Sequence, residues 1–435
     1  MSNAIHITAL ILLAMVILGC GPKTEQTLNN QRVVITYWAA PNQQEMMLAN
    51  QLVSEWNKNN PDIHVRLQAL PANQSTEEVL MAAIAAKTTP DVCSNIWPGT
   101  VPEYVRANAL VSLSQFSDFD SLAESRIGWD RMVQFRSADG QYYQIPWKTN
   151  PVMMIYNKDL FNAAGITSPP RTYSEFLFDA QKLTSYSNAN VGNGHYWMGY
   201  RDIRPIWWQR YFDFFTFYCA ASHGHPMVSN DSVNADTNAI RSVYYFFQKC
   251  FSNQYFPRTT FQYDPFIAGV VATEFVGPWT ISYIRQNFPD KINYGIGPVP
   301  VPDSSKGAVY TYGDHKSIVI FSTTRYPMES WRFVKYLLSV ESDLKLLEIA
   351  SQIPVRRDIL KEPKFERFFN QNKIMKIFAE QSAYAKEVDQ SYDQKEIFDS
   401  IAQEFEKCSV YGKETSDEAA RNLLRRIKLI IDWEK

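Results

Sequence analysis

The sequence offers little with which to do covalent chemistry. It has no G-x-S-x-G turn to present a nucleophile, no Walker loop to cradle phosphates and no dinucleotide G-x-G-x-x-G. Its five cysteines include no C-x-x-C and no Cys/His ligand spacing, which argues against a structural zinc site. His223-Gly224-His225 has a metal-like spacing, but no further ligand stands beside it and the stretch reads as a polar loop. Neither sign of charge is in excess: 43 Lys and Arg face 45 Asp and Glu, for a formal net charge of −2. That balance removes the basic face that nucleic-acid phosphates demand. No internal repeat or low-complexity block interrupts the chain. Carboxylates are numerous, yet their order in the sequence does not place two of them across a glycosidic bond. Nothing calls for a catalytic residue, a metal or a cofactor.

What is present is length, apolar residues and aromatics. A chain of 435 residues, 45% hydrophobic, suits two or three lobes with a sizeable core. Aromatics make up 14%, including eleven Trp and 24 Tyr. Most belong in cores; a minority on loops is what a site gripping flat, partly apolar rings requires. At the N-terminus, the apolar run 9–18 is too short to span a bilayer as a stable helix. It is followed by Gly19-Cys20, so 1–19 is read as a cleaved signal and 20–32 as a flexible tether. Four cysteines remain beyond Cys20 and are expected to be mostly free, buried thiols; a Cys219–Cys250 bridge is the one alternative considered.

The run RVVITYW (32–38) reads as a first strand. Met46, Ala49, Val53 and Trp56 then recur at helical spacing, and 63–67 gives a second strand. Strand, helix and strand within so short a span make a βαβ unit, hence a parallel sheet. The most distinctive stretch is GQYYQIPWKTNPVMMIYNKDLFNAAGITSPP (140–170). Two extended runs meet there at a prolyl, aromatic and polar joint, which suggests a crossing between lobes.

That stretch, with TYSEF after it, resembles the bacterial extracellular solute-binding proteins of carbohydrate ABC importers. WNKNNPDIHV (56–65), the PDV at 90–92, the 266–279 block ending in Gly277-Pro278-Trp279 and PMESWRFVKYLLS (327–339) resemble the same family, and the likeness covers about 33–360. ILGC (17–20) resembles a lipobox, which implies lipidation at Cys20, although no Lys or Arg precedes the apolar run. The resemblance implies a periplasmic-binding-protein type II fold: two α/β lobes around a ligand cleft, joined by crossing hinge segments. It assigns 33–147 and 313–352 to the N-terminal lobe, and 148–312 and 353–435 to the C-terminal lobe. Hinge positions are expected near 146–151 and 310–314.

In open α/β sheets ligands sit outside the carboxyl ends of strands. The residues expected there are Trp38, Asn42 and Gln44 after the first strand, Asn95 and Trp97 after the PDV strand, and Trp147 and Asn150 at the crossing. Trp208, Trp279, Asp314 and His315 complete the set; the family's Trp at position 279 lines the pocket. Indoles can cover the C–H faces of a sugar while amides, carboxylates and imidazole satisfy its hydroxyls. Trp56 and Trp331, in mid-helix, read as core, and Lys148 reads as a solvated flank.

The expected function is therefore capture of a sugar or oligosaccharide by lobe closure and delivery to ABC permease subunits. The protein would act as a monomer, without cofactor or nucleic acid, lipid-anchored to a membrane and facing the periplasm or exterior. An exported glycan-active enzyme, or a surface glycan receptor not coupled to import, is the alternative.

Overall fold

The computed structural model describes residues 32–433 apart from 73–74, 191, 193–194, 202–206, 230–231 and 390–393, and apart from the side chains of 207–211. The strands in chain order are β1 (Val33–Ala39), β2 (Ile63–Ala69), β3 (Val92–Ile96), β4 (Ile145–Thr149), β5 (Met153–Asn157), β6 (Trp197–Gly199) and β7 (Val228–Ser229). They continue as β8 (Ser232–Val233), β9 (Val271–Val276), β10 (Tyr294–Gly297), β11 (Thr311–Tyr312), β12 (Lys316–Ile320), β13 (Ile353–Pro354) and β14 (Ala385–Lys386).

Two sheets dominate. The first has the order β13-β4-β12-β3-β1-β2, and the second β10-β5-β9-β6. In the first, β1 pairs in parallel with both β2 and β3, as the strand–helix–strand pattern requires. Strand β12 lies antiparallel between β3 and β4, so the chain re-enters this sheet at its centre after building the second one. In the second sheet β5 is antiparallel to β10 and β9, and β6 joins β9 in parallel. Two-residue pairs, β7–β8 and β11–β14, stand apart.

Each sheet has its own core. Around the first, Leu48, Leu52 and Trp56 of the helix Gln43–Asn59 meet Trp331, Phe333 and Leu337 of the helix Pro327–Leu337. Trp331 stacks on Phe116 at 4.9 Å between centroids and its indole N–H donates to Asp118 at 2.7 Å. Beneath β4 the buried Arg126 guanidinium binds the Asp343 carboxylate and donates to the carbonyl of Leu338. The second core gathers the aromatic face of the helix Thr237–Ser252 with the helices Tyr173–Asn190, Trp207–Ala221 and Ser416–Trp433. The helix at Tyr173 begins with a reciprocal cap: Glu175 N–H donates to the Thr172 hydroxyl, and the Glu175 carboxylate accepts from the Thr172 N–H. The four described thiols, Cys93, Cys219, Cys250 and Cys408, are buried and free.

The chain passes between the sheets at 150–152, at 313–315 and after Pro354. Lys148 and Thr149, and Ile353 and Pro354, are still paired within the first sheet, so the crossings leave it slightly later than 147 and 352. The first two crossings run side by side. Val152 N–H donates to Tyr312 O at 2.9 Å, Thr311 Oγ1 donates to Val152 O at 2.6 Å, and Asn150 N–H donates to Gly313 O.

Candidate functional site

Between the two sheets lies a cavity of about 540 Å³, within the size range of small-molecule sites. Its first wall comes from the start of the helix after β1 (Asn42, Gln44, Glu45), the end of β3 (Asn95) and the crossings (Lys148, Asn150, Asp314, Lys316). The facing wall is the end of β9 and the helix Trp279–Asn287. Strand alternation turns Glu274 and Val276 to the same side, and Trp279 follows them. A second cavity of about 320 Å³ shares Trp279 and Asp314 with the first and extends past Phe275, Tyr312, Arg201 and Asp213. The two form one elongated cleft, with the Trp279 side chain at their junction.

Local sequence explains why these groups point inward. Asn42 caps the helix Gln43–Asn59: its Oδ1 accepts from Glu45 N–H at 2.9 Å. Asn95 and Asp314 both have left-handed backbones (φ of 69° and 38°), a conformation Asn and Asp tolerate better than most residues. Gly277 leaves room for the indole, because a Cβ there would lie 2.0 Å from Trp279 Cζ3.

The charges of the first wall are neutralised in pairs. Lys148 Nζ lies 2.6 Å from Glu45 Oε2, with both groups buried, and Gln352 donates to the other Glu45 oxygen at 2.9 Å. Burial opposes charge on both partners: the ammonium and the amide bonds still hold Glu45 below the usual carboxylate range, while burial outweighs Glu45 and holds Lys148 below the ordinary lysine value. Lys316 donates to Asp314 Oδ1 at 2.9 Å, and Tyr312 OH donates to the same oxygen at 3.1 Å. Burial works against the Lys316 charge, but Asp314 raises it above the ordinary lysine value. In the second cavity Arg201 is paired with Asp213 at 3.0 Å and lies over the Phe275 ring at 4.8 Å. Glu274 differs. Burial first, and Asp264 second, push its carboxyl up to about 8 against the pull of Arg201.

Of the residues expected at the site, Asn42, Gln44, Asn95, Asn150, Trp279 and Asp314 line the first cavity. Gln44 also donates to Gln286 at 3.3 Å, a bond from one wall to the other. The other indoles go elsewhere. Trp38 alternates to the face of β1 that packs on the cluster of Leu80, Ile96 and Tyr104. Trp147 is 3% exposed in the first core, and the Lys148 ammonium sits 4.6 Å from its ring. Trp97 leaves β3 but buries itself in the second core, 5.2 Å from Phe398 between ring centroids. His315 sits behind the hinge. Its Nε2 is 3.8 Å from Glu387 Oε1, and burial lowers its basicity to about 3. The Trp208 side chain and Cys20 lie outside the described residues.

Sequence reasoning missed Glu45, Lys148, Asp264, Glu274, Lys316 and Gln352 as cavity residues. Lys148 is no solvated flank but a buried side chain, 1% exposed. Its signal was present in its position on a fully buried strand, IPWKT, where a lysine requires a partner.

Comparison with known proteins agrees with this architecture. A family model described as "Bacterial extracellular solute-binding protein" matches residues 51–375. A "putative binding protein" of Brucella abortus is 24% identical over 240 residues, 53% of this chain and 54% of that protein, so the chain spans about half the length of that relative. The maltotriose-binding protein of Pyrococcus abyssi is 23% identical over 346 residues, 77% of this chain and 69% of that one. Among solved structures, an uncharacterized protein of Listeria monocytogenes superimposes with a TM-score of 0.76 at 26% identity, covering 92% of this chain and all of its own. Two α/β lobes about a cleft, with a family match across most of the chain, place this protein among the bacterial extracellular solute-binding proteins.

Proposed function

We propose that the protein captures a sugar or oligosaccharide in the cleft between its lobes and delivers it to the membrane subunits of an ABC importer. The observation that carries this reading is the elongated cleft, in which one indole, Trp279, stands among amides and carboxylates. An indole covers the C–H face of a pyranose while the surrounding polar groups receive its hydroxyls. Asn42, Gln44, Asn95, Asn150, Trp279 and Asp314 are the proposed ligand-binding residues. The similarity to the Pyrococcus abyssi maltotriose-binding protein supports a saccharide, and the family supports binding without turnover.

The ligand bridges the lobes and binds the closed arrangement better than the open one, which shifts the population toward closure. Closure presents a composite surface to the permease. Lipidation at Cys20 tethers the protein outside the membrane after removal of 1–19; no helix among the described residues is long and apolar enough to cross a bilayer.

A thermal-shift screen across mono- and oligosaccharides tests the reading, because a ligand that binds only the native state raises its unfolding temperature. At least one saccharide is expected to raise the midpoint and to be recovered intact by chromatography. Cleavage of that saccharide would instead establish a glycan-active enzyme, and no shift with any saccharide would remove the proposal.

A further inference from the structure

The cleft is not electrically even. Among the described residues, Glu45, Asp264, Glu274 and Asp314 line its first cavity against Lys148 and Lys316, and Asp213 faces Arg201 in the second. Both lysines are engaged, Lys148 with Glu45 and Lys316 with Asp314. Asp264 and Glu274 are thereby left with no ion-pair partner among the described residues. One Asp264 oxygen accepts the N–H groups of Phe266 and Ile267, both at 3.0 Å, which fixes this carboxylate at the cavity wall. Two further cavity residues carry unused acceptors. Asn150 Oδ1 and Gln352 Oε1 are buried without a hydrogen-bond partner, in residues 1% and 4% exposed. Gln352 already spends its N–H on Glu45, so its oxygen is the free end. The unfilled capacity of these residues is thus acceptor capacity, with two carboxyl groups, Asp264 and Glu274, on the second lobe beside Trp279.

We infer that the ligand is a saccharide bearing a basic nitrogen, its ammonium seated at Asp264 and Glu274 while its ring lies against Trp279. This rests on the saccharide-binding reading above and narrows it to amino sugars. Two partly buried carboxyl groups with no ion-pair partner among the described residues make a seat for a cation, and a bound ammonium supplies both the charge and the hydrogen-bond donors. The groups facing Glu274 are Asp264 from the loop before β9, Arg201 from the second cavity and Tyr283 from the helix Trp279–Asn287. Of these only Arg201 is cationic, and Asp213 already occupies it. The elevated Glu274 carboxyl agrees with this arrangement, burial first and Asp264 second holding off its charge. Binding an ammonium draws the proton from Glu274, so the advantage of the amine narrows as pH falls from neutral toward 5.

The test uses matched saccharides differing only at one nitrogen: glucosamine against glucose, galactosamine against galactose, and the glucosamine disaccharide against its N-acetylated form and cellobiose. Affinities are measured by calorimetry at pH 7 and pH 5 with the full chain. For at least one pair the amine is expected to bind about tenfold tighter or better at pH 7, the scale of a hydrogen bond to a charged group. That margin, read as the ratio of amine to neutral affinity within the variant, is expected to disappear in Glu274→Gln. Equal affinity within every pair, or preference for the neutral member, would overturn the amino-sugar assignment and leave saccharide capture standing. An amine preference that survives in both Glu274→Gln and Asp264→Asn would also overturn it. Binding of no member of any pair would overturn both readings, and the wild-type comparison alone decides should a variant fail to fold.

Discussion

Trp279 shows how much a single residue can carry. It forms a wall of both cavities, and its indole occupies the space that a side chain at position 277 would fill. Gly277→Ala is therefore expected to displace the ring and abolish the saccharide-induced thermal shift, while the unfolding midpoint of the free protein stays within a few degrees of wild type. A shift of wild-type size in that variant would show that the indole is not where the sugar lies. Trp279 was expected at the cleft through the family resemblance of the block that ends in Gly277-Pro278-Trp279, and it lines both cavities. Trp97, just after β3, and Trp147, in the middle of β4, had no such cue, and sequence does not say which face of a sheet a loop or strand residue turns toward.

Charged residues were harder to read. Lys148 and Glu45 are far apart in sequence, and only the fold reveals that each is the other's counter-ion. The same holds for Arg126 and Asp343, which are fully buried against each other. Removing one partner of such a pair leaves an uncompensated charge in the core. Asp343→Ala is expected to cost about 3–5 kcal/mol, read as a lower urea midpoint with an unchanged slope. A loss below 1 kcal/mol would mean that Arg126 finds water or another acceptor.

Glu274 gives a pH signature. Its folded-state value of about 8 is above that of a free carboxyl, so the folded protein holds this proton more tightly than the unfolded chain does. The resulting stability is fully present below the unfolded carboxyl range and is lost as pH rises through about 8. Glu274→Gln, which cannot ionise, is expected to unfold at a higher temperature than wild type at pH 8 and above, with the gap closing toward pH 5. An equal gap at both pH values would place the carboxyl in a solvated setting.

At the scale of elements, the parallel βαβ start and the crossing at 150–152 follow from period and punctuation, and the helix Pro327–Leu337 from the family resemblance. What the chain order hides is insertion. Strand β12 enters the middle of the first sheet from far along the sequence, and the loop after β3 sends Trp97 into the core of the opposite lobe. That indole packs against Phe212 and Phe398 and joins the lobes independently of any ligand. Trp97→Ala should leave a cavity and cost about 3–5 kcal/mol in thermal or urea unfolding. A neutral result would mean that the second core closes over the gap.

For the molecule as a whole, two lobes are joined by three crossings and by Trp97, and the proposed closure is a rotation about those crossings. Hydrogen bonds between 150–152 and 311–313 hold two of those crossings side by side. The account comes down to a saccharide seated at Trp279 between those bodies. A calorimetric titration of a saccharide hit from the thermal screen into wild type and Trp279→Ala tests it most directly. One bound ligand per chain in the wild type, with no measurable binding in a folded Trp279→Ala variant, is the predicted result; undiminished affinity in the variant would contradict it.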